Sequence, residues 1–391
     1  MRVLFWFLTI TSSVLISCTD NTDPQVKTLK LDLPSEPYAY NQLQLPAGSS
    51  PFLNNIMPDI LIDVNGFPVN QNAAMEITPW GATLGRVLFY DPKLSLNNTV
   101  SCGSCHHQDK AFTDGLAFSK GFEGRSTDRS TMAIINPVLQ NNLFWDSRSK
   151  TLHDLSLQPV QNHIEMGMEN LDRLVSKLQS EAYYPELFKK AYGDAEITPE
   201  RISKSISQFV ASITSNRSKF DAGLANNFSN FSELEKMGMH LFNSDKAKCA
   251  SCHGGNNMSA LDGPNDPYGG GGGSFTGNQD LRGATNIGLD LVYADNGLGD
   301  GKFRIPTLRN ITLTAPYMHD GRFKTLEEVI NHYSEGIKPH KHLDVKFTDG
   351  KGNVVPLKLS SIEKKALIAF LQTLTDREMT SDPKWSNPFR S

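Results

Sequence analysis

The chain has 391 residues, enough for two domains with separate cores. Hydrophobic residues make up 38% and charged residues 20%, an ordinary balance for a soluble globular protein. A net charge of −4 gives nucleic-acid binding no electrostatic support, although a local charged docking patch is compatible with it.

In chain order, Arg2 precedes the apolar run "VLFWFLTI", which is too short to span a bilayer and suits a secretory signal. The segment ends "LISC" at Cys18 and resembles a bacterial lipobox, with residues 1–18 as signal and Cys18 as the lipidated first residue. An ordinary signal peptide with an incidental cysteine is the alternative. Either reading exports the chain to an oxidising compartment. Residues 19–50 are polar and contain proline, so they read as a flexible tether.

The first helix start is Thr78-Pro79, followed by Leu84, Val87 and Leu88 at helical spacing. "VSCGSCHHQD" comes next, with Cys102, Cys105 and His106. A second helix starts at Thr198-Pro199 and presents Ile202, Ile206, Phe209, Val210 and Ile213 as one apolar face. Ser232 and Glu235 form a capping box that opens a third helix. "AKCASCHGGN" follows it, with Cys249, Cys252 and His253. The glycine-rich stretch from Asp262 to Asp280 predicts a mobile loop; no helix start with Lys-Ser/Thr follows it, so it is not a phosphate cradle. Ser360 and Glu363 cap a last helix that turns Leu367, Phe370, Leu371 and Leu374 inward.

C-x-x-C-H is the attachment signature of c-type haem: two thiols form thioethers to the vinyl groups and the histidine ligates the iron. A redox dithiol needs no following histidine, and zinc knuckles lie much closer together in sequence than these two copies. With Cys18 assigned to the lipobox, the four remaining cysteines are accounted for by two covalent haems. The helices before the two motifs end "GRVLF" and "GMHLF", a weak internal repeat. It predicts a mainly α protein of two cytochrome c-like domains with few short strands, at 51–225 and 226–391.

From about Thr78 to Thr375 the sequence carries "LFYDPKLS", "CGSCHH" with "AFTDG", "LFWDSR", "QPVQNHIEMGM", "CASCHGG", "FRIPTLRNI", "TAPYMHDGRF" and "TLEEVINHY", in that order. In this it resembles the bacterial di-haem cytochrome c peroxidases and their relative MauG. The resemblance implies that His106 ligates an N-terminal, peroxidatic haem and His253 a C-terminal, electron-accepting haem. It makes Glu165 the carboxylate on the peroxidatic distal side and Trp145 the aromatic residue between the haems. Gln158 and Pro159 would line the distal pocket, and His319 would belong to the haem environment. His107 is read as bland. A calcium ion between the domains is also implied, with Thr314 and Pro316 carbonyls as ligands and Ser130 where an asparagine is usual.

Two departures stand out. Phe122 occupies the place of a distal histidine, and no histidine lies between Gln108 and Arg148, so the peroxidatic iron is expected to be open when oxidised. Tyr333 falls where many members carry the methionine ligand of the C-terminal haem, with Met318 and His332 as rival ligands. The resemblance implies reduction of hydrogen peroxide with electrons from a small cytochrome c or cupredoxin, in a periplasmic protein held at the membrane only by its lipid. The alternatives are a MauG-like oxidase that modifies a partner protein, and a di-haem electron carrier without catalysis. A carrier has no use for a distal carboxylate.

Overall fold

The computed structural model describes residues 30–47, 75–140, 142–259, 284–349 and 351–390. The export signal, Cys18, the first part of the tether and the glycine-rich loop lie outside these residues. Helices dominate: α1 (Pro79–Tyr90), α2 (Leu152–Ser156), α3 (Gln158–Gln161), α4 (Leu171–Gln179), α5 (Tyr183–Tyr192), α6 (Pro199–Ala211), α7 (Lys219–Leu224), α8 (Glu233–Phe242), α9 (Leu326–Asn331) and α10 (Ser361–Gln372). The strands are two residues each. β1 (Lys30–Leu31) pairs antiparallel with β4 (Phe389–Arg390), and β2 (Ala284–Thr285) with β3 (Phe303–Arg304). Among the described residues no helix is long and apolar enough to cross a membrane.

Local chemistry sets the helix starts. Thr78 Oγ1 accepts from the Gly81 amide at 3.1 Å, and Thr198 Oγ1 from the Arg201 amide at 3.2 Å. Ser232 with Glu235, and Ser360 with Glu363, close reciprocal capping boxes. The apolar faces expected of α6 and α10 are buried.

These helices pack as two equivalent pairs. α1 crosses α6 at Gly85, where a Cβ would overlap the Ser205 carbonyl oxygen. α8 crosses α10 at Gly238, where a Cβ would overlap the Ala366 carbonyl oxygen. One turn further on, Phe89 meets Phe209 edge-on at 5.2 Å, and Phe242 meets Phe370 at 5.1 Å. The "G-x-x-L-F" repeat thus encodes a helix crossing: glycine permits contact of the backbones and phenylalanine fills the space beside it.

The core follows the same division. One apolar cluster gathers α1, α4, α5 and α6, and a second gathers α7, α8 and α10. The C-terminal tail crosses between them. Met379, Trp385 and Phe389 belong to the first cluster, far from α10 in packing terms. Tyr90 Oη donates to the Trp385 carbonyl at 2.7 Å, and Arg86 Nε to the Ser386 carbonyl at 2.6 Å. The segment read as a tether is also packed over its described part. Tyr40 is buried in the first cluster and donates to the Lys384 carbonyl at 2.6 Å. An apolar anchor in a polar segment defeats the compositional reading.

Candidate active site

Each C-x-x-C-H motif folds as one short helical turn. The His106 amide donates to the Cys102 carbonyl at 2.9 Å, and the His253 amide to the Cys249 carbonyl at 2.8 Å. This closure turns both thiols and the imidazole toward one cavity. His106 Nδ1 lies 2.7 Å from the Phe112 carbonyl and His253 Nδ1 lies 3.0 Å from the Pro306 carbonyl. A carbonyl only accepts, so Nδ1 carries the proton and Nε2 keeps its lone pair for iron. Burial lowers both imidazoles, His253 to about 4, and keeps them neutral and ligand-competent. The four cysteines form no disulfide. Two thiols and a bare Nε2 on each of two large, mostly apolar cavities fit a covalent haem in each. His107 turns Nε2 to the Ser104 carbonyl at 2.9 Å and takes no part.

The first cavity, about 780 Å³, is lined by Cys102, Cys105, His106, Pro159 and Glu165. Glu165 sits on the turn after α3, with its amide donating to Asn162 Oδ1 at 3.2 Å. Burial raises its carboxyl pKa, and the Arg148 charge opposes that rise. Gln158 does not line this cavity. Its amide donates to Ser149 Oγ at 3.2 Å and to the Asp154 carbonyl at 3.0 Å, and the next residue, Pro159, faces inward instead. Phe122 donates its amide to the Glu165 carbonyl at 2.9 Å and lays its ring against Gly167. Among the described lining residues, His106 is the only histidine.

The second cavity, about 220 Å³, holds Cys249, Cys252 and His253. Met318, His319 and Tyr333 line it, as do Thr314 and Pro316. His332 does not: its Nε2 is turned to the Ile287 carbonyl at 2.9 Å, which removes it as a rival ligand. Tyr333 lies where α9 widens into a π turn over His332–Gly336, a distortion common at functional sites. Burial raises its phenol pKa strongly, and the Cys252, Cys249 and Asp344 charges add to the rise. No described residue hydrogen-bonds its hydroxyl, which leaves that oxygen available. Among the described residues no three acidic, histidine or cysteine side chains converge on a metal position.

Trp145 lines both cavities. Its indole N–H donates to the Ser130 carbonyl at 2.8 Å, and its own carbonyl accepts from the Arg304 amide at 2.8 Å. The loop that carries it holds Phe144 and Ser147 at φ +63° and +56°, in the left-handed region that side chains adopt at some cost. Beside it, Arg129 bridges Asp146 and Asp295 at 2.7 and 2.5 Å, and Arg148 covers the Phe144 ring. The sequence reading missed these charged residues, and Arg304 with them. Their only local signal was the "DSR" after Trp145 and the "FRIP" before Thr307.

Two cytochrome c-type haem sites sharing one aromatic wall define a di-haem c-type oxidoreductase. The family model described as "Di-haem cytochrome c peroxidase" matches residues 79–229. Methylamine utilization protein MauG of Methylophilus methylotrophus is 32% identical over 294 residues, 75% of this chain and 82% of the relative. Cytochrome c551 peroxidase of Nitrosomonas europaea is 32% identical over 256 residues, 64% of this chain and 71% of the relative. A crystal structure of a MauG-like protein associated with microbial copper homeostasis is 33% identical, with a TM-score of 0.67 over 80% of this chain and 94% of that one. The chain belongs to the di-haem cytochrome c peroxidase and MauG family, whose membership implies two c-type haems.

Covalent attachment predicts that denatured protein keeps a haem-dependent peroxidase stain on a gel. Cys102→Ala with Cys105→Ala should halve the haem content and leave the second haem in place. Two haems retained in that variant would defeat the assignment of the first motif.

Proposed function

We propose that the protein reduces hydrogen peroxide to water, with electrons delivered singly by a small redox protein of cytochrome c or cupredoxin type. The observation that carries this reading is the Glu165 carboxyl facing the His106 cavity, with no second histidine among the described lining residues. When bound there, the haem iron supplies peroxide binding and the electrons for O–O cleavage. Glu165 takes the proton from one peroxide oxygen and returns it to the oxygen that leaves, as general base and then acid. Each peroxide consumes two electrons and two protons and yields two waters. The electrons enter through the C-terminal domain, and Trp145 stands in the wall they must cross. We further propose that the chain is exported, works in the periplasm and is anchored through a lipid on Cys18.

The test is steady-state turnover of the oxidised protein with peroxide and a reduced small cytochrome. Two cytochromes should be oxidised per peroxide, with no need to reduce the protein first. An obligatory reductive activation would refute the open peroxidatic site.

A second reading, MauG-like oxidation of a partner protein, is favoured by Tyr333. An anionic oxygen ligand stabilises ferric iron and lowers the potential relative to methionine. Tyr333→Met should raise the C-terminal haem potential and produce the near-infrared ferric band of His–Met ligation. If wild type already shows that band, Met318 is the ligand and the second reading loses its support. Covalent change in a partner protein without cytochrome turnover would decide for it.

A further inference from the structure

Arg304 is buried in the wall between the two cavities and lines both. Its guanidinium meets only neutral acceptors. Nε donates to the Phe144 carbonyl at 3.3 Å, Nη1 to Gln140 Oε1, and Nη2 approaches Met132 Sδ at 3.8 Å. The other arginines around the site all reach carboxylates: Arg129 to Asp146 and Asp295, Arg309 to Asp221, and Arg322 to Asp290 and Asp320. Among the described residues Arg304 has no such partner. Burial lowers its pKa only to about 10, so it remains a cation at neutral pH. A charge removed from water without a counter-charge is costly, and a folded core keeps one where an anion will meet it.

A second unsatisfied group stands beside it. His319 stacks on Phe303, the residue before Arg304, with ring centres 3.7 Å apart. Its Nδ1 is buried without a hydrogen-bond partner, and the ring lines the second cavity. The wall therefore offers a fixed cation and a free imidazole nitrogen to whatever fills the two slots.

A haem brings its own anions. Its thioether edge is taken by the cysteines, and its two propionates project from another edge of the same ring. We propose that Arg304 is a shared anchor for the two haems, pairing with one propionate from each cavity. This rests on the two-haem reading, which the gel stain tests separately. The planar guanidinium suits two carboxylates at once, because Nη1 and Nη2 each keep one N–H beyond the bonds to Gln140 and Met132, in a rigid fork. An unpaired propionate favours ferric iron, so a cation that neutralises it holds the potential up. One residue would then set both potentials together.

The experiment is a mediated redox titration of the full-length protein carrying both haems. Arg304→Gln should lower the reduced-to-oxidised ratio of each haem about tenfold at fixed ambient potential, ~59 mV for a one-electron couple. A residue that merely braces Phe144 and Gln140 would move the melting point and leave both potentials in place. Arg304→Lys keeps one point charge without the fork, so one potential should stay near wild type while the other falls. The proposal is overturned if either potential fails to move threefold in Arg304→Gln. Should that variant fail to load both haems, Arg304→Lys decides alone, and no shift in either haem overturns it.

Discussion

Glu165→Gln should slow peroxide cleavage about 10²–10⁴-fold while both haems stay attached, the loss expected when a positioned proton carrier is removed. Glutamine keeps the shape and the turn, since the Glu165 amide bond to Asn162 does not involve the side chain. It cannot accept and return a proton. The effect should appear in the rate of peroxide consumption and not in haem content. A pH profile separates this role from simple packing. Burial raises the carboxyl pKa of Glu165 above the ordinary carboxylate value. The base form is present above that raised value and is lost as pH falls through it, so wild-type activity should drop on the acid side. The Gln variant should show a flat acid limb. A variant within twofold of wild type would place the proton route elsewhere.

Gly85→Ala should unfold the N-terminal domain at markedly lower temperature. Alanine is the better helix former by about 1 kcal/mol, so an exposed site would gain stability. Here the added Cβ meets the Ser205 carbonyl oxygen and lies 2.9 Å from the Phe209 Cβ. Backbone cannot rotate aside as a side chain can, so the cost falls at or above the upper end of overpacking, ~3 kcal/mol. That outweighs the helical gain and lowers the melting midpoint by several degrees. Gly238→Ala should cost the C-terminal domain a similar amount, because it meets the Ala366 carbonyl oxygen in the same way. Calorimetry resolves the two. A Gly85→Ala protein that melts with wild type would deny the crossing its importance.

What the sequence disclosed was local. Thr78, Thr198, Ser232 and Ser360 announce helix starts because a cap is made within three residues. The two haem motifs are local for the same reason, as one turn sets the thiols and the imidazole. The helix crossings were half legible: the repeat was visible, but the partner of each glycine lies more than a hundred residues away. Gln158 shows where reading by resemblance fails. On a four-residue helix, adjacent positions face different neighbours, and only Pro159 meets the cavity. That Arg304 meets no carboxylate could not be read at all, because it is a property of every surrounding element. A residue in a π-widened turn cannot be placed by a 3.6-residue period either, and Tyr333 is the second residue of such a turn.

The tail that returns to the first domain also orders events in time. A chain emerging from its N-terminus can pair α1 with α6 early, yet Trp385, whose indole N–H reaches Ser212 Oγ at 3.3 Å, lies 173 residues further on. Until then the faces of Tyr40 and Tyr90 that meet residues 384–385 stay uncovered. The N-terminal unit is thus sealed by a stretch that follows α10 in sequence. Its burial waits for residues 384–386, so a product truncated after α10 would present an open seam to quality-control proteases.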